Sequence, residues 1–227
     1  MKINVYIDGF NLYYGAIKGR IDKIHLWRNF NFNLYYGAIK GTPFRWLNLS
    51  KMCSLLFPKD AINKIKYFTA RVSARPTDVD QPIRQQTYFR ALQTIPNLEI
   101  IEGSFLVKEV MMPVANSNPQ RYERVIKTEE KGSDVNLAVH LLNDAHKKDF
   151  ELAIMITNDS DLVEPMRLVK QELKLPVGLV NPQKHPSFLL KQHATFIKQI
   201  RTGVLRASQF PNTLTDANGT FHKPSSW

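Results

Sequence analysis

The chain has 227 residues, 43% of them hydrophobic and 22% charged, which suits a globular protein with one substantial core. It carries 31 lysine and arginine residues against 20 aspartate and glutamate residues, and this net charge of +11 favours a polyanionic partner such as nucleic acid. The single cysteine excludes an intrachain disulfide, and no apolar run approaches the length of a membrane span. The first ten residues lack the pattern of a signal peptide, so we expect a cytoplasmic protein with no membrane partner.

The first predicted strand is KINVYID at Lys2–Asp8, because its apolar residues alternate before an acidic residue and a glycine. A helix is expected to begin at Phe10, with Gly9 easing the turn. Asp8 therefore lies at the carboxyl end of a strand, where open α/β sheets place their ligands. We take Asp8 and Asn11 as a working pair.

The ten residues FNLYYGAIKG occur twice, at Phe10–Gly19 and at Phe32–Gly41. Two copies are too few to indicate a solenoid repeat protein. Only the first copy follows an acid, since Phe30 stands where Asp8 stands in the first. We interpret residues 20–41 as a duplicated insertion. Its basic and aromatic residues could contact nucleic acid. We prefer the interpretation that the insertion is a loop that packs only loosely on the domain.

Strand and helix patterns alternate along the rest of the chain. The expected elements are a helix at Leu47–Leu56, a strand at Lys64–Val72, a helix at Thr77–Ile95, strand and hairpin residues at Leu98–Val110, a loop at Met111–Tyr122, a short strand at Val125–Lys127, a strand at Pro176–Val180, a helix at Ser187–His193 and a strand at Phe196–Ile200. This alternation predicts a Rossmann-like α/β/α sandwich with a mostly parallel central sheet. Residues 1–208 are expected to form one domain, and residues 209–227 a polar tail that runs over its surface.

The segment GSDVNLAVHLLNDA at Gly132–Ala145 predicts a helix with Asp134 in its first turn. One interpretation is that Ser133 or Asp134 caps this helix. The other is that Asp134 projects from the helix end toward the carboxyl edge of the sheet.

A second polar turn follows the apolar run Ala153–Ile156, which has the length of a strand covered on both faces. The turn contains Asn158, Asp159, Ser160 and Asp161, and helical spacing of apolar residues resumes after it. Two acids this close repel each other, and a divalent cation that keeps some of its waters would hold them together. The alternative is that Asp159 or Ser160 only caps the following helix.

Four acids, Asp8, Asp134, Asp159 and Asp161, thus fall at two strand ends and one helix start, which a doubly wound sheet can bring to one crevice. Carboxylates without cysteine or histidine at metal-ligand spacing favour Mg²⁺ or Mn²⁺ over zinc. Asn11 and Asn158 would add neutral oxygens or orient water. Such a site can activate water and stabilise an in-line phosphoryl displacement.

Three blocks, IDGFNLYYG, EKGSDVNLAVHLL and ITNDSDLVEPMRLV, resemble in this order the NYN domain, the LabA-like branch of the PIN-like nucleases. The resemblance extends to about Ile200. It implies a PIN-like α/β/α fold and metal-dependent RNA cleavage, with Asp8, Asp134, Asp159 and Asp161 as the acidic positions and Asn11 beside the first. The chain departs from the pattern at His140, where many relatives carry an acid.

The leading hypothesis is a Mg²⁺- or Mn²⁺-dependent endoribonuclease that cleaves single-stranded RNA, because an open cleft suits a single strand. Two alternatives stay open: a catalytically weak nucleic-acid-binding regulator with the same fold, and a phosphohydrolase of small substrates. Lys131, Arg71 and Arg75 are candidate contacts to nucleic acid, although Lys131 could instead pair with Glu129 or Glu130. A homo-oligomer is also left open.

The duplication generates a first prediction. Deleting residues 20–41 should preserve or improve both the melting temperature and the cleavage of labelled RNA, because the second copy lacks the preceding acid. A deletion variant that melts normally but has lost cleavage would show that the insertion takes part in function.

Overall fold

The structure is a computed structural model that describes residues 1–17, 42–74 and 78–227. The whole of the predicted insertion, residues 20–41, and Arg75 lie outside the described residues. In chain order the elements are β1 (Lys2–Asp8), α1 (Gly9–Leu12), a π-helical turn (Tyr13–Ile17), α2 (Leu49–Leu56), β2 (Ala61–Ala70), α3 (Gln81–Gln93), β3 (Leu98–Pro113), β4 (Tyr122–Lys131), α4 (Ser133–His146), β5 (Leu152–Ile156), a 3₁₀ turn (Ser160–Leu162), α5 (Val163–Gln171), β6 (Val177–Asn181), α6 (Phe188–His193), β7 (Phe196–Gln199), α7 (Thr202–Ala207), β8 (Thr213–Asp216) and β9 (Gly219–His222).

Seven strands form the central sheet in the order β4-β3-β2-β1-β5-β6-β7. All neighbouring pairs are parallel except β3 and β4. The predicted α/β sandwich with a mostly parallel sheet is confirmed. The chain builds outward from β1 to β2 and β3, then returns through α4 to place β5 on the other side of β1. This reversal makes a crevice at the carboxyl ends of β1 and β5, the place where open α/β sheets bind ligands.

The two faces of the sheet carry separate apolar layers because side chains alternate along each strand. Ile3, Val5 and Ile7 of β1 pack on one face with Met52 of α2 and Phe89 of α3. On the other face, Tyr6 and Phe68 pack with residues of α4 and α5, including Leu137, Leu141 and Met166. Every residue of β5 and β6 is buried, as expected for strands covered on both sides.

The β3–β4 hairpin is longer than the sequence predicted. Strand β3 continues through Gly103 to Pro113, and its distal half pairs only with β4, from Ser104 opposite Lys131 to Pro113 opposite Tyr122. The loop expected at Met111–Tyr122 shrinks accordingly to residues 114–121. Cross-strand pairing gives partners to the backbone groups on the facing edges of the two strands, which a loop would have left to water. We call this two-stranded extension, residues 104–113 and 122–131, the arm.

The C-terminal residues 209–227 are not the polar surface tail that we predicted. They form the β8–β9 hairpin, and Phe210 and Phe221 are only 6% and 7% exposed. Both rings lie beside the fully buried Trp46, with centroids 5.7 and 6.5 Å from its ring. Four widely spaced apolar residues in a polar segment gave no periodic signal, so the sequence pattern missed this packing. These are Phe210, Leu214, Phe221 and Trp227.

Arg90 of α3 fastens this hairpin to the domain. Its guanidinium donates to both carboxylate oxygens of Asp216 at 2.7 Å and lies 4.2 Å from the ring centre of Phe221. A paired, stacked arginine of this kind combines ionic and aromatic contacts at one point.

Among the helices of the described ranges, none is both long enough and apolar enough to span a bilayer.

We predict that Phe221→Ala lowers the free energy of unfolding by about 3–5 kcal/mol, the usual cost of removing a buried phenyl ring. The measurement is urea unfolding followed by circular dichroism. Thr220→Ala, an exposed change on the same strand, should cost far less and serves as the control. Equal unfolding midpoints for the wild type and Phe221→Ala would show that the hairpin contributes nothing to stability.

Candidate metal centre

Asp8 lies at the carboxyl end of β1 and is only 3% exposed. One carboxylate oxygen accepts from the backbone N–H of Asn11 at 2.9 Å and so caps α1. The other accepts from the Asn11 side chain at 2.6 Å and from the Thr157 hydroxyl at 2.9 Å. Gly9 permits this sharp turn, because a Cβ there would meet the carbonyl oxygen of Phe68 at 2.6 Å. The carboxylate is thus held by three donors from two segments.

Asp159 follows β5 across the crevice from Asp8. Its backbone N–H donates to the Thr157 hydroxyl at 3.1 Å, and its side chain accepts from the backbone N–H of Asp161 at 3.0 Å. Asp159 is therefore the N-cap of the 3₁₀ turn, as one of our two interpretations held. The two interpretations are compatible, because a cap uses one carboxylate oxygen and leaves the second for another partner.

Asp134 enters the crevice from the first turn of α4. The cap of this helix is Gly132, at a φ of 98° that favours glycine, and it has no side-chain capping bond. The prediction that Ser133 or Asp134 caps α4 is wrong. Ser133 instead donates through its backbone N–H and its hydroxyl to Glu130, at 3.0 and 2.8 Å. The Asp134 carboxylate is consequently not used for capping.

The three carboxylates meet at the crevice. Oxygens of Asp8, Asp134 and Asp159 lie within 4.8 Å of one another. A cation with oxygen ligands at about 2.0–2.6 Å spans up to about twice that distance between opposite ligands, so one ion fits between them. The donor set contains only oxygen, which suits Mg²⁺ or Mn²⁺ and not zinc. Asp161, in contrast, is exposed and outside this group.

Burial and the repulsion between neighbouring carboxylates raise the pKa values of Asp8 and Asp134. Burial raises the pKa of Asp8, against the lowering effect of its hydrogen bonds to Asn11 and Thr157. Burial, together with the charges of Asp8, Asp159, Glu130 and Asp161, raises the pKa of Asp134 to about 7. No lysine, arginine or histidine in the described ranges lies within ion-pair distance of the three carboxylates. The cluster therefore lacks a counter-charge in that part of the chain.

The predicted supporting residues divide into two kinds. Asn11 holds Asp8 and also accepts from the Gln183 side chain at 3.1 Å. Asn158 donates to Gln183 at 2.9 Å and to the His185 carbonyl at 3.1 Å, and accepts from the backbone N–H of Ser187 at 2.6 Å. It secures the loop between β6 and α6 to the turn that carries Asp159. Ser160 is exposed at the start of the 3₁₀ turn.

The two candidate nucleic-acid contacts that the structure describes, Arg71 and Lys131, are engaged in ion pairs. Arg71 binds Glu102 at 2.6 Å and also donates to Gln86 at 2.6 Å. Lys131 is exposed but lies 3.1 Å from Glu129 on the arm. Each of these cations already has an acidic neighbour.

Several functional neighbours were missed by the sequence analysis. Thr157 links Asp8 to Asp159, and Gln183 links Asn11 to Asn158. Both are polar residues at the carboxyl end of a strand, which was the one signal available for them. His140 packs against Phe68, and its Nδ1 lies 3.2 Å from Lys66 Nζ, which also donates to Asp144 at 2.6 Å. His140 is thus a histidine of α4 with partners on β2.

A recess of about 260 Å³ opens beside the carboxylates. It is lined by Phe10, Asn11, Tyr14, Asn158, Asp159, Ser160 and Gln183. Phe10, Asn11 and Tyr14 come from α1 and the π-helical turn that follows it, and the other polar residues come from the turn after β5 and the loop after β6. A ligand in the recess would contact Asp159 directly.

The NYN domain family model matches residues 2–205. The chain belongs to the NYN domain family. It is 27% identical to 6-hydroxy-3-succinoylpyridine 3-monooxygenase HspA of Pseudomonas putida, over all of this chain and 75% of that protein. A crystal structure of a protein of unknown function from Vibrio parahaemolyticus superimposes with a TM-score of 0.52, at 15% identity, covering 88% of this chain and 93% of the other. The structural likeness shows the fold alone, and the LabA-like branch stays a prediction.

The raised pKa of Asp134 generates a prediction about stability. Since the pKa rises from about 3.8 in the unfolded chain to about 7 in the fold, the folded state binds the proton more tightly. Asp134 should therefore destabilise the metal-free protein progressively as pH rises from about 4 to about 7. Asp134→Asn should become more stable relative to the wild type across that window, measured by urea unfolding in EDTA. Parallel pH profiles for the two proteins would contradict the carboxylate cluster.

Proposed function

We propose that this NYN domain is a divalent-metal-dependent endoribonuclease that cleaves single-stranded RNA. The observation that carries the proposal is the group of Asp8, Asp134 and Asp159 oxygens within 4.8 Å, at the crevice of a nuclease-type fold. The absence of a neutralising side chain within ion-pair distance, in the described ranges, supports a cation as the missing partner. Mg²⁺ and Mn²⁺ fit the all-oxygen donor set.

A bound divalent cation would supply an activated water and neutralise charge on the phosphate. The protein's own contribution is to hold the three carboxylates in position. Asp8 is fixed by Asn11 and Thr157, so its oxygens need not reorganise when a ligand binds. Asp159 is fixed by its capping bond to Asp161. Asp134, with its pKa of about 7, must release a proton for the full negative charge to be present near neutral pH.

The position of Asp161 gives it a different expected role. It is exposed and outside the close group, yet its charge contributes to the raised pKa of Asp134. We therefore propose that Asp161 supports the site through its charge or through a bound water, while Asp8, Asp134 and Asp159 are the ligands. Loss of an outer partner of this kind typically costs about 10–100-fold in activity.

A second candidate is oxygenation of a small aromatic compound. It is favoured by the Pseudomonas relative, whose name states such an activity and which matches the whole chain. Phe10 and Tyr14 in the recess could contact an aromatic ring. Monooxygenation requires O₂ and two electrons from an external reductant, so incubation with 6-hydroxy-3-succinoylpyridine and a reduced nicotinamide separates this candidate from the first. Consumption of the pyridine compound and of the reduced nicotinamide, without RNA cleavage, would favour the monooxygenase candidate.

We predict that Asp159→Asn abolishes RNA cleavage while RNA binding survives or strengthens. An amide is a much weaker ligand for a hard cation than a carboxylate, so the loss should exceed the 10–100-fold typical of an outer partner. Binding should not suffer, because the change removes a negative charge that faces the phosphates. Stability should change little, since asparagine caps a helix about as well as aspartate.

The assay is cleavage of labelled single-stranded RNA and DNA in Mn²⁺, Mg²⁺ or EDTA, with thermal melting in parallel. Glu172→Gln is the matched control and should cleave like the wild type, because this acid caps the C-terminal end of α5 and its side chain is 59% exposed. Undiminished cleavage by a well-folded Asp159→Asn protein would refute the metal-site assignment. If the wild-type protein binds RNA but cleaves none of the RNAs tested, the hypothesis of a catalytically weak RNA-binding regulator would be favoured.

A further inference from the structure

One long segment of the chain carries lysine and arginine residues but no acidic residues. Residues 173–215 contain six lysine and arginine residues and no aspartate or glutamate. These are Lys174, Lys184, Lys191, Lys198, Arg201 and Arg206. None of the six has an ion-pair partner among the residues that the structure describes. An acid-free stretch of this length leaves its cations available to an external anion.

Part of this stretch adjoins the candidate metal centre. Gln183 lines the recess, and its neighbour Lys184 is exposed. The backbone N–H of Ser187 donates to Asn158, and Phe188 follows it at the start of α6. The side chain of Gln199 donates to the Gln183 carbonyl at 2.8 Å, so the end of β7, two residues before Arg201, is tied to the same loop.

Phe188 of α6 presents an aromatic ring to solvent, with 71% of the residue exposed. It lies three residues before Lys191 on α6, and residues at this spacing are neighbours on a helix face. Exposed rings beside lysine and arginine are the features with which proteins bind single strands, since bases stack on the rings and cations follow the phosphates. Lys198 is excluded from this role, because it donates to the Leu56 carbonyl and lies 4.3 Å from the Phe57 ring centre.

We propose that Lys184, His185, Phe188, Lys191 and Arg201 form a binding platform for the single-stranded RNA that enters the metal centre. The proposal rests on the proposed function and deepens it, because it names the surface and the conformation of the substrate. Phe188 stacks on an unpaired base, and Lys184 and Lys191 contact phosphates. A duplex keeps its bases stacked on one another and cannot use Phe188 in this way.

The arm is the alternative surface, and its charges argue against it. Lys108, Lys127 and Lys131 share one carboxylate, Glu129, at its base. These three ammonium groups lower the pKa of Glu129 to about 2, so this acid stays ionised beside them. The arm also exposes Ile126 to 71%, as much as Phe188. The arm therefore provides matched control positions for the lysine–phosphate contacts and for the contact between Phe188 and a base.

The test measures RNA binding by the full chain in EDTA, so that cleavage does not interfere. Fluorescence anisotropy compares a single strand of about 12 nucleotides, within the range that one single-strand-binding fold covers, with its duplex. The salt concentration is varied between about 50 and 200 mM. The variants are Lys184→Ala/Lys191→Ala and Phe188→Ala. Their controls are Lys108→Ala/Lys127→Ala and Ile126→Ala.

The lysine double variant should reduce the slope of log affinity against log salt by about 1.4, because each phosphate contact to a single strand contributes about 0.7. Phe188→Ala should weaken single-strand binding by about fivefold or more, with the duplex unchanged. Both arm controls should bind like the wild type. Equal effects of platform and arm variants, or equal weakening of duplex and single strand by Phe188→Ala, would overturn the proposal.

Two further outcomes separate this proposal from the proposed function. If no RNA is cleaved but the platform variants weaken binding as stated, the platform stands and the nuclease activity does not. If RNA is cleaved and the platform variants bind normally, the platform is refuted and the nuclease stands. Size-exclusion chromatography adds a check, because loss of an oligomer in Phe188→Ala without loss of RNA binding would make this surface a protein interface and overturn the proposal.

Discussion

The repulsion among three carboxylates held within 4.8 Å is the constraint on which the rest of the site depends. Free carboxylates in water would separate, so the fold must hold them together at a cost. Two hydrogen bonds from Asn11 and one from Thr157 fix Asp8, and the capping bond from Asp161 fixes Asp159. The raised pKa values of Asp8 and Asp134 show that ionising these carboxylates in the fold is still unfavourable. A site that is destabilised without a cation gains the most when one binds.

The sheet topology explains why these three acids meet at all. Strand β1 lies at the centre, and the chain fills one side of it before crossing to the other. Asp8 and Asp159 consequently end two adjacent parallel strands although they are far apart along the chain. This adjacency could be predicted from the sequence, because two buried strands that each end in an acid are expected to share one edge in a doubly wound fold. The three sequence blocks of the family resemblance fall at the same three connections.

Other parts of the site could not be predicted, since they depend on contacts between distant segments. Thr157 was visible only as a small polar residue that ends a strand, and nothing local indicated its bond to Asp8. The role of Ser133 was misjudged because its partner Glu130 belongs to the arm, whose length was itself underestimated. Arg71 looks like a free cation in the sequence, and only the fold shows its pairing with Glu102, which is 31 residues away in the chain. The C-terminal aromatics were missed for the same reason, as their partner Trp46 is remote in sequence.

The arm connects these observations, because it sets the position of the third carboxylate. Glu130, near its base, accepts two hydrogen bonds from Ser133 and thereby orients the first turn of α4, which carries Asp134. Gly103 on the opposite strand allows this close approach, since a Cβ there would lie 2.6 Å from both a Glu130 carboxylate oxygen and the Lys131 carbonyl. Glu130 also adds to the negative field that raises the pKa of Asp134. The same residue thus positions Asp134 and increases its need for a cation, which couples the geometry of the hairpin to the electrostatics of the metal centre.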